Sequence, residues 1–174
     1  IRRGKVSTFG KRRVSFGDFL RIGATCCILW IGCGAAMASQ REDIDVVSLD
    51  ARGDEIRIRG QIDFPDHHNG EGPHPLVVMV PGTGLFDRDV SFGTSGTAGD
   101  KIFLDMAKHF LDAGIAVARY DLRGVEFGGK PDSALRATVD AQSGVLDFAA
   151  IYRFAASHSR VDKDRIVVLA HSEG

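Results

Sequence analysis

The sequence predicts an α/β fold with a mixed sheet, antiparallel at its start and parallel afterwards. Two segments with strand patterns, residues 44–49 and 55–64, come first, and units in which strands alternate with helices follow them. In residues 55–64, apolar residues and Gly60 alternate with charged or amide side chains, so one face is buried and the other is wet. That alternation is typical of an antiparallel strand, whereas the later strand–helix order is typical of a parallel sheet.

The third predicted strand, residues 76–80, is a continuous apolar run, which is typical of a central parallel strand covered on both faces. The segment before it, residues 65–75, is interpreted as a solvated polar loop containing His67, His68 and His74. No matching carboxylate or cysteine spacing accompanies these histidines. The sequence therefore predicts no metal site.

A glycine-rich turn, Pro81-Gly82-Thr83-Gly84, ends the third strand. It lacks both the G-x-G-x-x-G pattern and a G-K-[ST] ending, so nucleotide binding is not expected. A turn with so little side-chain bulk can instead direct a backbone N–H group at a developing oxyanion. The triplet Asp87-Arg88-Asp89, a little further on, is interpreted as a salt bridge within the following loop.

Two helices and one further strand come next. Apolar residues recur at helical spacing from Asp100, and Gly114 ends this first helix. Residues 115–118 form the next predicted strand. The second helix is predicted over residues 138–157, with Thr138 as its N-cap. Its apolar face is predicted to contain Val145, Phe148, Ala149, Tyr152 and Ala156.

The last predicted strand, residues 166–170, is apolar and is expected to be buried on both faces. It leads directly into Ala170-His171-Ser172-Glu173-Gly174, a variant of the G-x-S-x-G nucleophile elbow. Small residues are needed two positions before and after the serine, because the chain turns sharply there from strand into helix. Ala170 and Gly174 meet that need. This motif after a buried strand predicts a nucleophilic serine.

The net charge of −1 conceals an uneven distribution of charge along the chain. Residues 1–21 carry seven Lys or Arg and one acid, and residues 22–38 are uncharged and largely apolar. Ala36-Met37-Ala38 then provides a small-x-small cleavage site, so residues 1–38 are predicted to be a signal peptide. The protein is then expected to be exported after cleavage near Ala38, with a retained membrane anchor as the alternative.

The chain is long enough for one ordinary domain, and the composition of residues 39–174 excludes several classes of function. All three cysteines lie at positions 26, 27 and 33, so this part can contain no disulfide, thiolate metal site or cysteine nucleophile. Nucleic-acid binding is not expected, because the basic start precedes an apolar segment and the rest of the chain is acidic. Contact with a membrane is expected only through the N-terminal signal or anchor.

Three motifs together resemble the α/β-hydrolase superfamily. They are Pro-Gly-Thr-Gly-Leu-Phe-Asp-Arg-Asp (81–89), Arg-Tyr-Asp-Leu-Arg-Gly (119–124) and Val-Asp-Lys-Asp-Arg-Ile-Val-Val-Leu-Ala-His-Ser-Glu-Gly (161–174). Within the superfamily, they are similar to bacterial esterases related to dienelactone hydrolases and serine aminopeptidases. The resemblance covers residues 44–174. It implies the first half of an α/β-hydrolase fold, ending at the nucleophile elbow.

The resemblance also implies roles for individual residues. Ser172 matches the nucleophile, and the backbone N–H groups of Thr83 and Glu173 match the oxyanion donors. Gly82 and Gly84 would keep the oxyanion turn open. The triad acid and histidine are expected after the serine, beyond Gly174.

Other motif residues are given no catalytic role. His171 is expected to direct its side chain away from the serine rather than act as the base, and Asp121 and Arg123 are expected to brace the loop after their strand. Two positions depart from the family pattern. Pro81 stands where many members have histidine, and Glu126 stands where the Arg-Gly-x-Gly continuation has glycine.

The expected function is that of a serine hydrolase that cleaves carboxylic esters through an acyl-enzyme, without a cofactor. Its expected partner is a small-molecule ester or acyl substrate. Residues 39–174 alone are expected to be inactive, because they lack the base and the acid, and poorly folded, because the last strand would expose an unpaired apolar edge. Two alternatives remain: a serine peptidase or thioesterase of the same fold, and a non-catalytic binding protein of that fold.

Overall fold

The computed structural model describes residues 41–66, 72–92, 100–125, 127 and 131–174. The predicted signal peptide, His67, His68 and Glu126 lie outside these residues. Within them, no helix combines the length and the apolar character needed to cross a membrane.

A five-stranded mixed sheet forms the centre of the fold. Its strands lie in the order β1-β2-β6-β3-β7, with β2 antiparallel to both β1 and β6, and with β3 parallel to both β6 and β7. The predicted change from antiparallel to parallel pairing is confirmed. The strands are β1 (Arg41–Leu49), β2 (Glu55–Asp63), β3 (His74–Val80), β4 (Ser91–Phe92), β5 (Asp100–Lys101), β6 (Ala116–Tyr120) and β7 (Val161–Ala170).

Strands β4 and β5 are short and pair with each other outside the main sheet. Three helices accompany the strands: α1 (Ile102–Asp112), α2 (Ser133–Arg136) and α3 (Ala141–Ser157). Neither the β4–β5 pair nor α2 was predicted from the sequence. Both are too short to produce a hydrophobic repeat.

Two hydrophobic cores lie on opposite faces of the sheet. Val77 and Met79 of β3 pack with Phe103 and Ala107 of α1 on one face. Leu76, Val78 and Val80 of β3 pack on the other face, where Ile151 of α3 belongs to the same core. Adjacent residues of β3 therefore enter different cores, which explains why its sequence is apolar without alternation.

The N-terminus of α3 differs from the prediction. The helix begins at Ala141, and the side chain of Asp140 accepts a 2.7 Å hydrogen bond from the N–H of Ser143. Thr138 instead donates its hydroxyl to the carbonyl of Leu135 in α2. Thr138 as the N-cap is therefore wrong, because Asp140 and Ser143 form a capping box closer to the helix.

The predicted apolar face of α3 is confirmed only in part, since Phe148 and Tyr152 are partly buried against the core. The buried residues of the helix are Ser143, Asp147, Ala150, Ile151 and Ala155, whereas Val145 is 65% exposed. The reason is Asp147, which is buried because it accepts a 3.0 Å hydrogen bond from Nε of Arg123. That ion pair turns a mixed polar and apolar face toward the sheet.

Strand β7 is not buried on both faces, contrary to the prediction. Val167 is 61% exposed and Val168 is 45% exposed, while Ile166 and Leu169 pack partly against the two cores. In the described structure, β7 pairs with β3 alone. A strand with a neighbour on one side only cannot cover its own side chains fully.

His74 is not part of a solvated loop, as the sequence suggested. It is the first residue of β3, it is buried, and its ring lies 6.2 Å from the ring of Phe64. Burial, together with the positive charge of Arg160, lowers the pKa of His74.

A buried ionic network crosses the sheet on the face that the sequence predicts to be wet. Arg119 of β6 lies opposite Gln61 of β2 and donates to Asp63 at 2.8 Å and to Asp89. Burial acts to raise the pKa of Asp63, but hydrogen bonds from Arg41 and Arg119 outweigh it, so the pKa is lowered. Gln61 and Asp63 are therefore buried rather than solvated.

Replacing Arg119 with methionine should lower the free energy of unfolding by about 3–5 kcal/mol, because it removes a buried partner of two carboxylates. Arg153→Met, at an exposed position on α3, is the matched control and should change it by less than about 0.5 kcal/mol. Urea unfolding measures both. Equal losses in the two variants would show that the network contributes nothing specific.

The stability of the protein should also fall as the pH decreases below about 6.5, because folding favours the neutral form of His74. The contribution of this group is present above its unfolded pKa and is lost as the pH falls toward the lowered folded pKa. The decrease between about pH 7.5 and 5, measured by urea unfolding, should be smaller in His74→Gln than in the wild type. His109→Gln, at an exposed position of α1, should keep the wild-type decrease. A decrease of unchanged size in His74→Gln would contradict the assignment.

Candidate active site

The chain turns sharply after β7. The N–H of His171 donates to the carbonyl of Val80 at 3.0 Å, and the N–H of Gly174 donates back to the carbonyl of His171 at 3.0 Å. Between them, Ser172 has a φ of +58°, a left-handed conformation that is strained for a residue with a side chain. Ser172 is exposed. We refer to residues 171–174 as the serine turn.

The turn after β3, residues 81–84, packs directly against the serine turn, and we call it the threonine turn. A Cβ atom at Gly82 would lie 2.7 Å from the carbonyl oxygen of His171 and 2.7 Å from Cβ of Ser172. One at Gly174 would lie 2.7 Å from the carbonyl oxygens of Val80 and Pro81. Glycine is required at both positions because backbone atoms of one turn occupy the space beside the other.

The structure brings the side chains of Thr83 and Glu173 together. The hydroxyl of Thr83 donates a 2.7 Å hydrogen bond to the carboxylate of Glu173, and both residues are exposed. The backbone nitrogen of Glu173 would lie 3.4 Å from a Cβ at Gly82, so it sits directly over the threonine turn. Gly84, with a φ of +148°, lies beside the ring of Phe86, and Ala170 is the last residue of β7, opposite Val80.

The side chain of His171 lies beside two aromatic rings. Its ring meets the rings of Phe86 and Phe103 nearly at right angles, with centroids 6.3 and 6.4 Å away. Phe86 comes from the loop after the threonine turn, and Phe103 comes from α1. His171 therefore anchors the serine turn to both elements by edge-to-face packing.

A pair of reciprocal ion pairs holds residues 85–90 against the end of β6, and we call this arrangement the double clamp. Asp121 accepts hydrogen bonds from the backbone N–H, Nε and Nη2 of Arg88, at 2.8, 3.1 and 2.6 Å. Asp89 pairs with Arg119 and with Lys101. The loop salt bridge expected within residues 87–89 is therefore replaced by pairs that join this segment to the sheet.

The double clamp holds the backbone in a strained conformation. Val90, the next residue, has a φ of +48° although it is β-branched, and its side chain is fully buried in the core beside α1. The carbonyl of Asp89 accepts from the N–H of Phe103 at 3.0 Å. Burial and ion pairing together therefore fix the path of the loop that follows the threonine turn.

Arg123 braces a different part of the same region. Its guanidinium donates to Asp147 of α3 and, at 2.8 Å, to the carbonyl of Leu49 at the end of β1. The sequence predicts a bracing role for Arg123 but does not identify Asp147 as its partner. An aspartate within an otherwise apolar helix pattern was the available signal, because a carboxylate on a buried face requires a cation.

A groove with a volume of about 560 Å³ lies beside the two turns, on the side of α3. Thr83 and Glu173 contribute to its wall, but Ser172 does not. Tyr120 also lines it, and burial raises the pKa of the Tyr120 hydroxyl, so this group stays protonated at neutral pH. Among the described residues, no group of three metal-binding side chains could hold an ion.

Comparison with known proteins gives one curated relative. Esterase EstD of Thermotoga maritima is 35% identical over 115 residues, which are 66% of this chain and 24% of EstD. The chain thus spans about a quarter of the length of that relative. No family model matches the chain.

Similar solved structures are also found. The α/β hydrolase GrgF from Penicillium sp. sh18 matches with a TM-score of 0.51 and 23% identity, over 75% of this chain and 37% of GrgF. An acetyl xylan esterase from Paenibacillus sp. R4 matches with a TM-score of 0.46 and 21% identity, over 78% of this chain and 43% of that chain. The α/β-hydrolase fold that the three motifs imply is confirmed, and the described residues form part of that fold.

Proposed function

We propose that the complete protein is a serine hydrolase that cleaves carboxylic esters through an acyl-enzyme. The observation that carries the proposal is the strained, exposed Ser172 in a turn packed against the threonine turn. A serine held at positive φ after a parallel strand is typical of an activated nucleophile, because the strain presents its hydroxyl. The sequence similarity to a protein named as an esterase supports the ester substrate class.

In the proposed reaction, the Ser172 hydroxyl attacks the acyl carbon and passes its proton to a histidine that a carboxylate orients. We assign both of these roles to residues that follow the serine in the complete protein. The backbone N–H groups of Thr83 and Glu173 donate to the oxyanion of the tetrahedral intermediate, each contributing roughly 10²–10³ in rate. The alcohol leaves with the proton from the histidine. Water then attacks the acyl-enzyme by the same path, which regenerates the serine.

The same mechanism serves amides and thioesters, so the leaving group is the open part of the proposal. A panel of p-nitrophenyl esters, acyl thioesters and aminoacyl anilides, tested on the complete protein, separates the three classes. We expect the esters to give the highest kcat/KM.

Export also belongs to the proposal, with residues 1–38 as the signal peptide. N-terminal sequencing of the exported protein should find Ser39 as its first residue.

Replacing Ser172 with alanine in the complete protein should abolish ester turnover and leave the fold intact, because the serine is exposed and only its hydroxyl reacts. Ester hydrolysis and thermal unfolding measure the two properties. Ser159→Ala, at an exposed position before β7, is the matched control and should retain full activity. Undiminished turnover in Ser172→Ala would overturn the proposed function.

Replacing Gly82 with alanine should lower ester turnover by about tenfold or more, because the added methyl group forces the two turns apart. Gly144→Ala is the control, since a Cβ there meets nothing within 4 Å and the position is inside α3. This control should retain activity and gain about 0.5–1 kcal/mol in the free energy of unfolding. Normal turnover in Gly82→Ala would show that the close packing of the turns is not needed.

A further inference from the structure

We infer that the side chains of Thr83 and Glu173 are positioning residues, whose mutual hydrogen bond fixes the spacing of the two oxyanion N–H groups. The inference rests on the proposed function and adds a role for two side chains that the mechanism uses only through their backbones. Its basis is the 2.7 Å bond from the Thr83 hydroxyl to the Glu173 carboxylate.

The backbone contacts between the two turns leave the rotation of two peptide groups undetermined, and this hydrogen bond restrains it. Gly82 lies under His171 and Ser172, and Gly174 lies against the carbonyls at the end of β3. These contacts set how closely the turns approach each other. They do not set the rotation of the peptide groups of Thr83 and Glu173, whose two N–H groups must point at the same oxygen atom. A bond between the two side chains restrains both residues at once.

The chemistry of the bond suits this role. A hydroxyl donating to a carboxylate is charge-assisted, and the 2.7 Å separation is typical of a strong bond of this kind. Threonine is stiff about its first side-chain torsion, so fixing its hydroxyl also fixes its backbone more firmly than serine would. Since the adjoining Ser172 is strained, restraints on the neighbouring residues keep the turn from relaxing.

The two side chains are not needed for folding. Both residues are exposed, so removal of the bond leaves no buried polar group without a partner. A positioning role should therefore appear in kcat and leave stability unchanged. A role in binding a cationic substrate through the Glu173 carboxylate would appear in KM instead.

The experiment is a double-mutant cycle in the complete protein with Thr83→Val, Glu173→Ala and the double variant, using p-nitrophenyl acetate. Each variant should lower kcat by about tenfold and leave KM within about twofold. The double variant should be no worse than either single variant, because both remove the same bond. Binding of a trifluoromethyl ketone that mimics the oxyanion should weaken by a similar factor.

Two further variants separate positioning from a general loss of a hydroxyl. Thr83→Ser keeps a donor to Glu173 and should restore most of the lost kcat. Thr138→Val removes a hydroxyl bonded to a backbone carbonyl outside the site and should keep wild-type kinetics. Thermal unfolding of the Thr83 and Glu173 variants should match that of the wild type.

Unchanged kcat in the single variants, additive losses in the double variant, or a change confined to KM would overturn the inference. Wild-type turnover that persists in Ser172→Ala would overturn the proposed function and the inference together. Turnover that depends on Ser172 but not on the Thr83 and Glu173 side chains would overturn the inference alone. The outcomes are therefore distinguishable within one set of variants.

Discussion

The double clamp at the end of β6 is the interaction on which the described structure most depends. Arg119 and Asp121 lie two residues apart, and they pair with Asp89 and Arg88, which are adjacent in the loop after β3. The loop after β3 and the end of β6 thus each supply one cation and one anion. All four residues are at least nine-tenths buried. Because unpaired charges at such positions would be expensive, alternative paths of the loop are excluded, and the pairs act chiefly on conformation rather than on net stability.

This constraint reaches the candidate active site through short, stiff connections. The clamped loop begins directly after the threonine turn and contains Phe86, whose ring meets the ring of His171. His171 directly precedes Ser172. The packing of Phe86 against His171 therefore acts on the conformation of Ser172 through a single peptide bond. The positive φ at Val90 persists because its side chain is buried, and the one at Ser172 persists because the backbone hydrogen bonds of His171 and Gly174 fix the chain on both sides.

The two turns show how small residues create chemistry. With glycine at positions 82 and 174, the backbone of one turn can approach the backbone of the other to within contact distance. In the proposed mechanism, the peptide N–H groups of Thr83 and Glu173 would donate to an oxygen of a substrate held at Ser172, without side chains in between. Backbone donors cost little to reorganise during a reaction. The site is thus built largely from main-chain geometry, which the fold fixes before any substrate arrives.

The sequence by itself determined the longer strands and helices and the position of Ser172, the candidate nucleophile. Apolar runs predicted β3 and β7, alternation predicted β2, and the Ala-His-Ser-Glu-Gly motif located Ser172, because each of these is a local pattern. Only the tertiary structure decided which charges pair, which face of α3 is buried, that His74 lies inside, and that β7 is an edge strand in the described residues. The same holds for the bond between Thr83 and Glu173, residues 90 positions apart. Such contacts depend on which distant segments become neighbours in the fold. A local pattern along the chain does not specify those neighbours, because they follow from the order of the strands in the sheet.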